Sequence, residues 1–438
     1  MGWDFETDPE FEEKLAWMRE FMREEVEPLG LVYPHDVYKM PQSEEIKLLL
    51  APLKQKVKEQ GLWAAHLGPD LGGQGYGQLK LALMNEIMAR SPWGPRVFGA
   101  QAPDTGNAEI LAHYGTPEQK AKYLEPLLEG DIVSCYSMTE PQGGSDPGQF
   151  VCRAWRDGDE YVIDGWKFFS SNARWASFLI VMAVTDPEAM PYRGATMFLV
   201  EAGTPGLKIE RSIALGGEPE DEGSHGLVHY DHVRVPVENR LGPEGEGFAV
   251  AQTRLGGGRV HHAMRAVATC QKALDMMCER ALSRTTKGSL LADKQYVQGY
   301  IADSWIELQQ YRLMVLHTAW KIDRYNDYQR VREDIAGIKV AAQKILHDIV
   351  GRAIQVHGAL GISNELPLWR MYQTQYITGF SDGPSEVHKT TVARRVLKQY
   401  SAAPGLWPTE HLPTRREEAR AKIEKKLAEL RNQTPSAT

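Results

Sequence analysis

Cysteine is scarce in this 438-residue chain, and the four present (Cys135, Cys152, Cys270, Cys278) are scattered. They are too few and too far apart for a disulfide framework. None forms a C-x-x-C pair, so zinc and thiol-redox chemistry have no motif to rest on. Apolar runs are short as well; none approaches the ~18 residues that span a bilayer. A basic excess is also missing. Lys and Arg number 50 against 58 Asp and Glu, a net charge of −8. That balance argues against nucleic acid as a partner, because duplex binding needs a basic face. It leaves room for a local basic pocket that takes one phosphorylated ligand. The opening MGWDFETDPE has no basic stretch followed by an apolar one, so it does not read as a secretory signal. Glu6 stands where a myristoylation site wants Ser or Thr. The expectation is a soluble, cytoplasmic protein of a reducing compartment, with no membrane span.

What is there is ordinary globular material, 42% hydrophobic and 25% charged, long enough for two or three domains. Residues 1–130 read as helical. Asp8-Pro9 supplies a cap and a first-turn proline, and Phe11, Leu15, Met18 and Met22 recur at helical spacing. Further helix patterns cover 43–60 and 79–90, and Thr116-Pro117 starts another. From 131 to 240, short β-branched and aromatic runs (161–163, 178–184, 196–200) alternate with turn signals, which predicts a domain of antiparallel strands. Asp157-Gly158 and Asp164-Gly165 read as hairpin turns. From 241 to 400, helical periodicity returns in segments long enough for a four-helix bundle. The remainder, 401–438, opens Pro-rich and ends in a mixed-charge stretch, 415–431, that fits an exposed helix.

Three constellations carry possible chemistry. Tyr136–Asp146 (YSMTEPQGGSD) sets the hydroxyls of Thr139 and Ser145 around Gly143-Gly144, where backbone can approach a flat polar ligand; it is also turn-rich enough to be a plain surface loop. Gly165–Asn172 (GWKFFSSN) places aromatics beside paired hydroxyls, for a ring face or for the core. Gln355–Gly361 (QVHGALG) ends a helix, and Ser381–His388 (SDGPSEVH) holds Asp382 on a Gly-Pro turn. With Tyr376, Ile377 and Phe380 before it, that carboxylate is expected in an apolar setting that raises its pKa and suits a general base; read alone, such a residue is more often a helix cap than a catalyst. His225, His229 and His232 have superficial metal spacing, but 229 and 232 fall on opposite faces of a strand, so no metal site is assigned.

In order and spacing these motifs resemble the acyl-CoA dehydrogenase family over roughly residues 10–400. Tyr136–Asp146 resembles its M-T-E-P-x-x-G-S-D signature, and Gly115–Gly130 the segment leading into it. Phe169–Asn172 is similar to its W-I-T/S-N, Gln355–Gly361 to Q-x-x-G-G-x-G, and Asp382–Glu386 to E-G-T-S-Q/E. The 27 positions between Gln355 and Asp382 match the family spacing. The resemblance implies an α+β fold with an N-terminal helical domain, a central antiparallel β-domain and a C-terminal four-helix bundle, and it implies FAD as cofactor. Tyr136, Met138, Thr139, Gly144 and Ser145 would line the flavin on one side, with Phe169 and Ser171 on the other. Arg284 and Thr286 would reach the pyrophosphate, with Gln355, Gly358 and Ala359 from a neighbouring subunit, and Pro384 and Glu386 nearby. Ser145, Gly256, Arg259 and Gly383 would meet the acyl-CoA. Asp382 would take the α-proton while the β-hydrogen leaves as hydride, giving a trans-2-enoyl-CoA, and a backbone N–H would help hold the developing oxyanion. An electron-transferring flavoprotein is the implied acceptor, and a homo-oligomer, dimer or tetramer, the implied assembly.

The chain departs from the pattern in places. The usual base is Glu, and Asp382 reaches less far by about one carbon–carbon bond, ~1.5 Å. Pro384 replaces a Thr and removes a hydroxyl. Gly258 stands where some members carry the base instead, so no substitute exists there. Arg259-Val-His-His262 with Met264-Arg265 resembles a branch fused to a kinase-like domain, which acts on medium-to-long acyl chains, some hydroxylated. Its histidine pair reads as structural. An oxidase on the same fold, similar to nitroalkane oxidase, and a DNA-associated relative are the alternatives.

Overall fold

The computed structural model describes residues 6–39, 42–71, 73–190, 192–216, 218–219 and 222–433. The chain divides into a large unit, Met1–Val392, and a small one, Ala393–Thr438.

The large unit opens with helices that start where the capping chemistry predicts. In α1 (Pro9–Phe21) the Asp8 carboxylate accepts from Phe11 N at 3.0 Å, satisfying a donor that the first turn leaves orphaned. Ser43 does the same for α2 (Glu44–Glu59). Then come α3 (Gly77–Met88) and α4 (Asp104–Tyr114). Thr116 and Gln119 form a reciprocal capping box at the next helical turn.

The sheet has eight strands: β1 (Ser134–Ser137), β2 (Arg153–Asp157), β3 (Glu160–Ser171), β4 (Phe178–Val184), β5 (Ala195–Glu201), β6 (Leu207–Ile213), β7 (His225–Pro236) and β8 (Arg240–Leu241). Their order is β6-β7-β3-β1-β4-β5-β8, with β2 beside β3 and β4. Most ladders are antiparallel as expected, but β1 and β4 run parallel, from Ser134↔Phe178 to Ser137↔Val181. The β2–β3 hairpin between them is the crossover that a parallel pair requires. Asp157-Gly158 makes the expected hairpin turn, with Asp157 paired to Glu160 and Gly158 at φ +63°. Asp164-Gly165 does not turn. It lies inside β3 at a register shift, with Gly165 at φ +141°, and a Cβ there would sit 2.7 Å from Cys152 Cα. The glycine serves close backbone approach at a bulge.

Four long helices follow: α5 (Gly247–Ser283), α6 (Gln295–Tyr325), α7 (Arg332–His357) and α8 (Leu368–Phe380), then α9 (Ser385–Leu397). They share one core with the N-terminal helices, in which Phe11, Met18 and Trp93 belong with Val260, Met264, Val315 and Ile349. Polar bonds fix the register of that packing. Asp323 on α6 accepts from Gln78 N and Leu79 N at 2.6 and 2.8 Å, capping α3 from another helix. Arg312 forks onto Glu86 at 2.7 and 2.9 Å, and buried Arg265 donates to Asn85 Oδ1 and Ala100 O. The sheet is tied in by Asp104, which accepts from Ser134 N and Oγ at 2.8 and 2.6 Å. Among the described residues no helix is long and apolar enough to cross a membrane. In the small unit, the charged stretch forms exposed α10 (Leu412–Gln433).

Two glycines should separate sterics from conformation. Gly165→Ala is expected to cost about 2–4 kcal/mol, from backbone overlap added to strain. Gly158→Ala, where a Cβ meets nothing within 4 Å, should cost only about 1 kcal/mol. Thermal melts of the two variants check the ranking; equal losses refute it.

Candidate active site

One wall is built around an ion pair. Glu140 and Lys167 side chains are both 0% exposed, with Nζ 2.7 Å from Oε1. Isolated, either charge would be intolerable in the interior. Here Glu140 also accepts from Cys152 N at 3.0 Å, Val151 N at 2.7 Å and Gln142 Nε2 at 2.6 Å. Lys167 also donates to Met138 O at 2.9 Å and lies over the Phe150 ring. Phe168 N donates to Thr139 O at 2.8 Å. The Tyr136–Asp146 loop is therefore pinned to β3 at three consecutive residues, 138, 139 and 140. A plain surface turn has no such anchorage.

The two strand ends meet where Tyr136 pairs with Ser171. Ser137 Oγ bonds Ser170 Oγ and receives the Tyr230 hydroxyl, each at 2.9 Å. Those serines are buried; Thr139 and Ser171 are half-buried, and their hydroxyls carry no hydrogen bond to another described residue. Between Lys167 and Ser170 the ladder slips. Phe169 takes φ +51° there, and the bulge turns its ring outward, 43% exposed. Gly144 and Ser145 are exposed on the loop.

The second wall is the turn between α8 and α9. Asp382 sits at φ +55° and Gly383 at φ +98°; Asp is among the few residues that tolerate the left-handed region. Arg259 Nη2 donates to Asp382 O at 3.1 Å, and His388 Nε2 reaches the same carbonyl at 3.1 Å. Burial, then Arg259, pushes His388 down to about 4, so the ring is neutral and Nε2 carries its proton. Lys339 on α7 donates to Thr378 O and to Gly379 O, the last carbonyls of α8. Burial pushes Lys339 down to about 8, against the pull of Asp382. His262 Nε2 lies 3.9 Å from Asp382 Oδ2. The apolar setting expected for Asp382 is thus corrected. Tyr376 and Phe380 project from one face of α8, 54% and 63% exposed, and the base candidate stands among cations. Pro384 keeps a role without its hydroxyl, its carbonyl accepting Val387 N and His388 N.

The structure thus gathers Tyr136, Met138, Thr139, Phe169 and Ser171 around the pinned loop of the sheet, and, as a separate cluster, Asp382, Gly383 and Arg259 around the turn between α8 and α9. Arg284, Thr286, Gln355, Gly358, Ala359 and Glu386 are exposed, and among the described residues no hydrogen bond joins them to either cluster. Arg284 ends α5, and Thr286 lies in a small hairpin with Ser289. Gln355 and Gly358 close α7. Gly256 lies in α5, but its surroundings fall outside the described residues. The three histidines do not converge: His225 bonds Ser224, His229 stacks on Trp166 at 4.1 Å, and His232 sits by Asp231. Asp164, Asp231 and His232 do group on the surface, where Asp231 is already bonded to Lys208. Sequence reasoning missed Glu140, Lys167, Lys339 and His388. A lysine flanked by aromatics within a strand pattern was the one signal that could have found Lys167 and, with it, an acidic partner.

Three family domains cover this architecture: Acyl-CoA dehydrogenase, N-terminal domain over residues 8–131, middle domain over 135–225 and C-terminal domain over 245–397. The chain belongs to the acyl-CoA dehydrogenase family. FadE2 of Mycobacterium tuberculosis is 39% identical over 389 residues, 87% of this chain and 94% of that one. Acyl-CoA dehydrogenase family member 11 of Rattus norvegicus is 40% identical over 81% of this chain but 46% of its own length. The chain therefore spans about half of that relative. A solved acyl-CoA dehydrogenase structure from Mycobacterium abscessus aligns with a TM-score of 0.83 at 38% identity, over 90% of this chain and all of that one. Against these acyl-CoA dehydrogenases, the fold expected from the motifs holds.

Lys167→Met should be the most damaging single change on the first wall, because it leaves Glu140 charged and buried; a loss of about 3–5 kcal/mol is expected. Lys167→Met with Glu140→Leu should recover much of it. Urea unfolding of both variants gives the comparison, and an equal or larger loss in the double variant goes against it.

Proposed function

We propose that this protein is an FAD-dependent dehydrogenase of an acyl-CoA thioester, forming a trans-2-enoyl-CoA and passing electrons to an electron-transferring flavoprotein. The carrying observation is Asp382, a carboxylate on a backbone clamped by Arg259 and His388, in the motif position of the family's base. A thioester α-C–H is a poor acid, so the base must be held in register with it. Two hydrogen bonds to the Asp382 carbonyl and the Lys339 bonds to the end of α8 supply that constraint. With Gly258 on α5 no second base competes.

The first wall fits a flavin by its donor set. Among the described residues the Thr139 and Ser171 hydroxyls have no hydrogen-bond partner, Phe169 offers an outward ring, and a Cβ on Gly144 would meet nothing nearer than Thr139 Cγ2 at 3.8 Å, so that backbone is open to close approach. Tyr136, Met138, Thr139, Gly144, Ser145, Phe169 and Ser171 would hold the ring system, which supplies the hydride acceptor. Arg284 and Thr286 of one subunit, with Gln355, Gly358 and Ala359 of another, would hold the pyrophosphate, and Glu386 and Pro384 would lie near the cofactor. Their exposure in the single chain supports a homo-oligomer whose cofactor sites are shared. Arg259, Ser145, Gly256 and Gly383 would border the thioester, with Asp382 accepting the α-proton on a carboxylate oxygen.

Purified protein should be yellow with flavin absorbance. Asp382→Asn should keep its FAD and lose at least ~100-fold in rate on acyl-CoA with a ferrocenium or flavoprotein acceptor, the lower end of a general base's contribution. A variant that reduces its flavin as fast as the parent removes Asp382 from this role. Rapid turnover with oxygen alone and no CoA ester points to the oxidase chemistry instead.

A further inference from the structure

One titratable side chain beside the base has no part in the reaction described so far. His262 lies on α5 three residues beyond Arg259 and four beyond Gly258, so all three share a helix face. Arg259 and His388 hold the carbonyl of Asp382, and Lys339 holds the end of α8. These bonds fix backbone. His262 instead addresses the carboxylate, with Nε2 at 3.9 Å from Oδ2 and side-chain exposures of 41% and 20%.

Its neighbour is built differently. His261 is buried, and its Nε2 has no hydrogen-bond partner. Burial, then Arg265, His66 and His262, pushes it well below the ordinary imidazole value. The adjacent histidines thus divide: His261 belongs to the core between α5 and the N-terminal helices, and His262 to the catalytic turn. A packing role does not explain a 41% exposed imidazole aimed at a carboxylate.

We infer that His262 is a positioning residue whose imidazolium holds the Asp382 carboxylate ionised and in one orientation, an inference that rests on Asp382 being the base. A separation of 3.9 Å exceeds hydrogen-bond length, so the coupling is Coulombic and disappears when the imidazole loses its proton. An opposite charge at this range favours the charged form of its partner. Among the described residues, the charged or titratable groups around the turn include Arg259 and His261 on α5, Lys339 on α7, and Glu386 and His388 on α9. Of these, His261 and His388 are held neutral near pH 7 by burial. Arg259 keeps its charge throughout the working range, and Glu386 lends its negative charge to Lys339. Lys339, pushed down to about 8 by burial, loses its charge only towards the alkaline end of the working range, whereas an imidazole ordinarily changes charge between pH 5 and 8. The short Asp side chain makes the arrangement useful, since a carboxylate with less reach tolerates less misorientation.

The test uses FAD-loaded protein carrying His262→Leu or His262→Gln, with kcat and KM followed from about pH 5 to 9. Loss of the cation should move the acid limb of kcat upward by about one pH unit, a roughly tenfold lower rate below that limb. KM should change less than about twofold, and the thermal melt should stay unchanged. A purely structural histidine would lower kcat at every pH without moving the limb. A second readout needs no turnover: modification of His262 by diethyl pyrocarbonate, mapped by peptide mass spectrometry across pH. In Asp382→Asn its midpoint should fall by about one unit, because the paired anion is gone. An acid limb that stays put in both variants overturns the inference, as does a midpoint unmoved in Asp382→Asn. Should His262→Leu lose flavin, His262→Gln and the modification midpoint decide. If Asp382→Asn keeps full rate while the midpoint shifts, the assignment of the base fails and the pairing stands.

Discussion

Much of this structure depends on one ion pair in a place without water. Bringing Glu140 and Lys167 out of solvent costs several kcal/mol per ion. Their mutual attraction offsets that only because the remaining valences are filled, by two backbone N–H groups, a glutamine amide and a backbone carbonyl. Every group that fills them is a fixed point of the chain. Val151 and Cys152 lead into β2, Met138 leads out of β1, and Lys167 lies mid-way along β3. Satisfying the two charges therefore fixes the relative placement of three strands and the loop between them. A hydrophobic pair of equal volume would fill the space yet leave the loop free to slide, since apolar contacts are not directional. The hydroxyls of Thr139 and Ser171 inherit their positions from this constraint.

The turn that carries Asp382 is organised by backbone conformation. Asp382 occupies the left-handed region, where β-carbon sterics penalise most side chains and penalise Asp and Asn least. That offers a physical reason for a shorter carboxylate where the family pattern has Glu. The turn and the side chain are chosen together, and the lost reach of about 1.5 Å is met by holding the turn rather than lengthening the residue. Arg259 and His388 converge on one carbonyl, and a Cβ on Gly383 would stand 3.0 Å from His388 Nε2. So the glycine beside Asp382 is required twice, by its φ and by the ring packed against it.

How much of this was legible in the sequence follows from how local each cause is. Caps announce themselves because the capping residue and its target lie within four positions, so Asp8 and Thr116 were readable, while Ser43, read as helical, is the cap of α2. The order helices, strands, helices was readable from periodicity. Asp164-Gly165 misled because a glycine that permits close approach to Cys152 looks, in one dimension, like a glycine that permits a turn. The parallel pairing of β1 with β4 was hidden because register between distant strands leaves no local trace. Tyr376 and Phe380 misled for a related reason: their spacing shows that they share a helix face, and nothing in it shows whether that face meets the core. The partners of Lys167 and Lys339 lie in other elements, and no pattern along the chain names them.

That exposed face bears on the assembly. Tyr376 and Phe380 stand outward on α8, as does Trp369, along a helix whose last residue leads into the turn that carries Asp382. Large apolar side chains grouped on a surface are costly unless something covers them. The motif residues at the end of α7, Gln355 to Ala359, include exposed positions as well, and in this chain they bond to neither wall of the site. On the proposed placement, a cofactor whose ring lies at Thr139 would reach past that loop, and the described residues of the single chain give its far end no enclosed place. A second copy supplying its α7 terminus would account for both features at once, covering apolar surface and completing a polar site. The exposed aromatics and the idle motif then have one cause, which neither feature would establish separately.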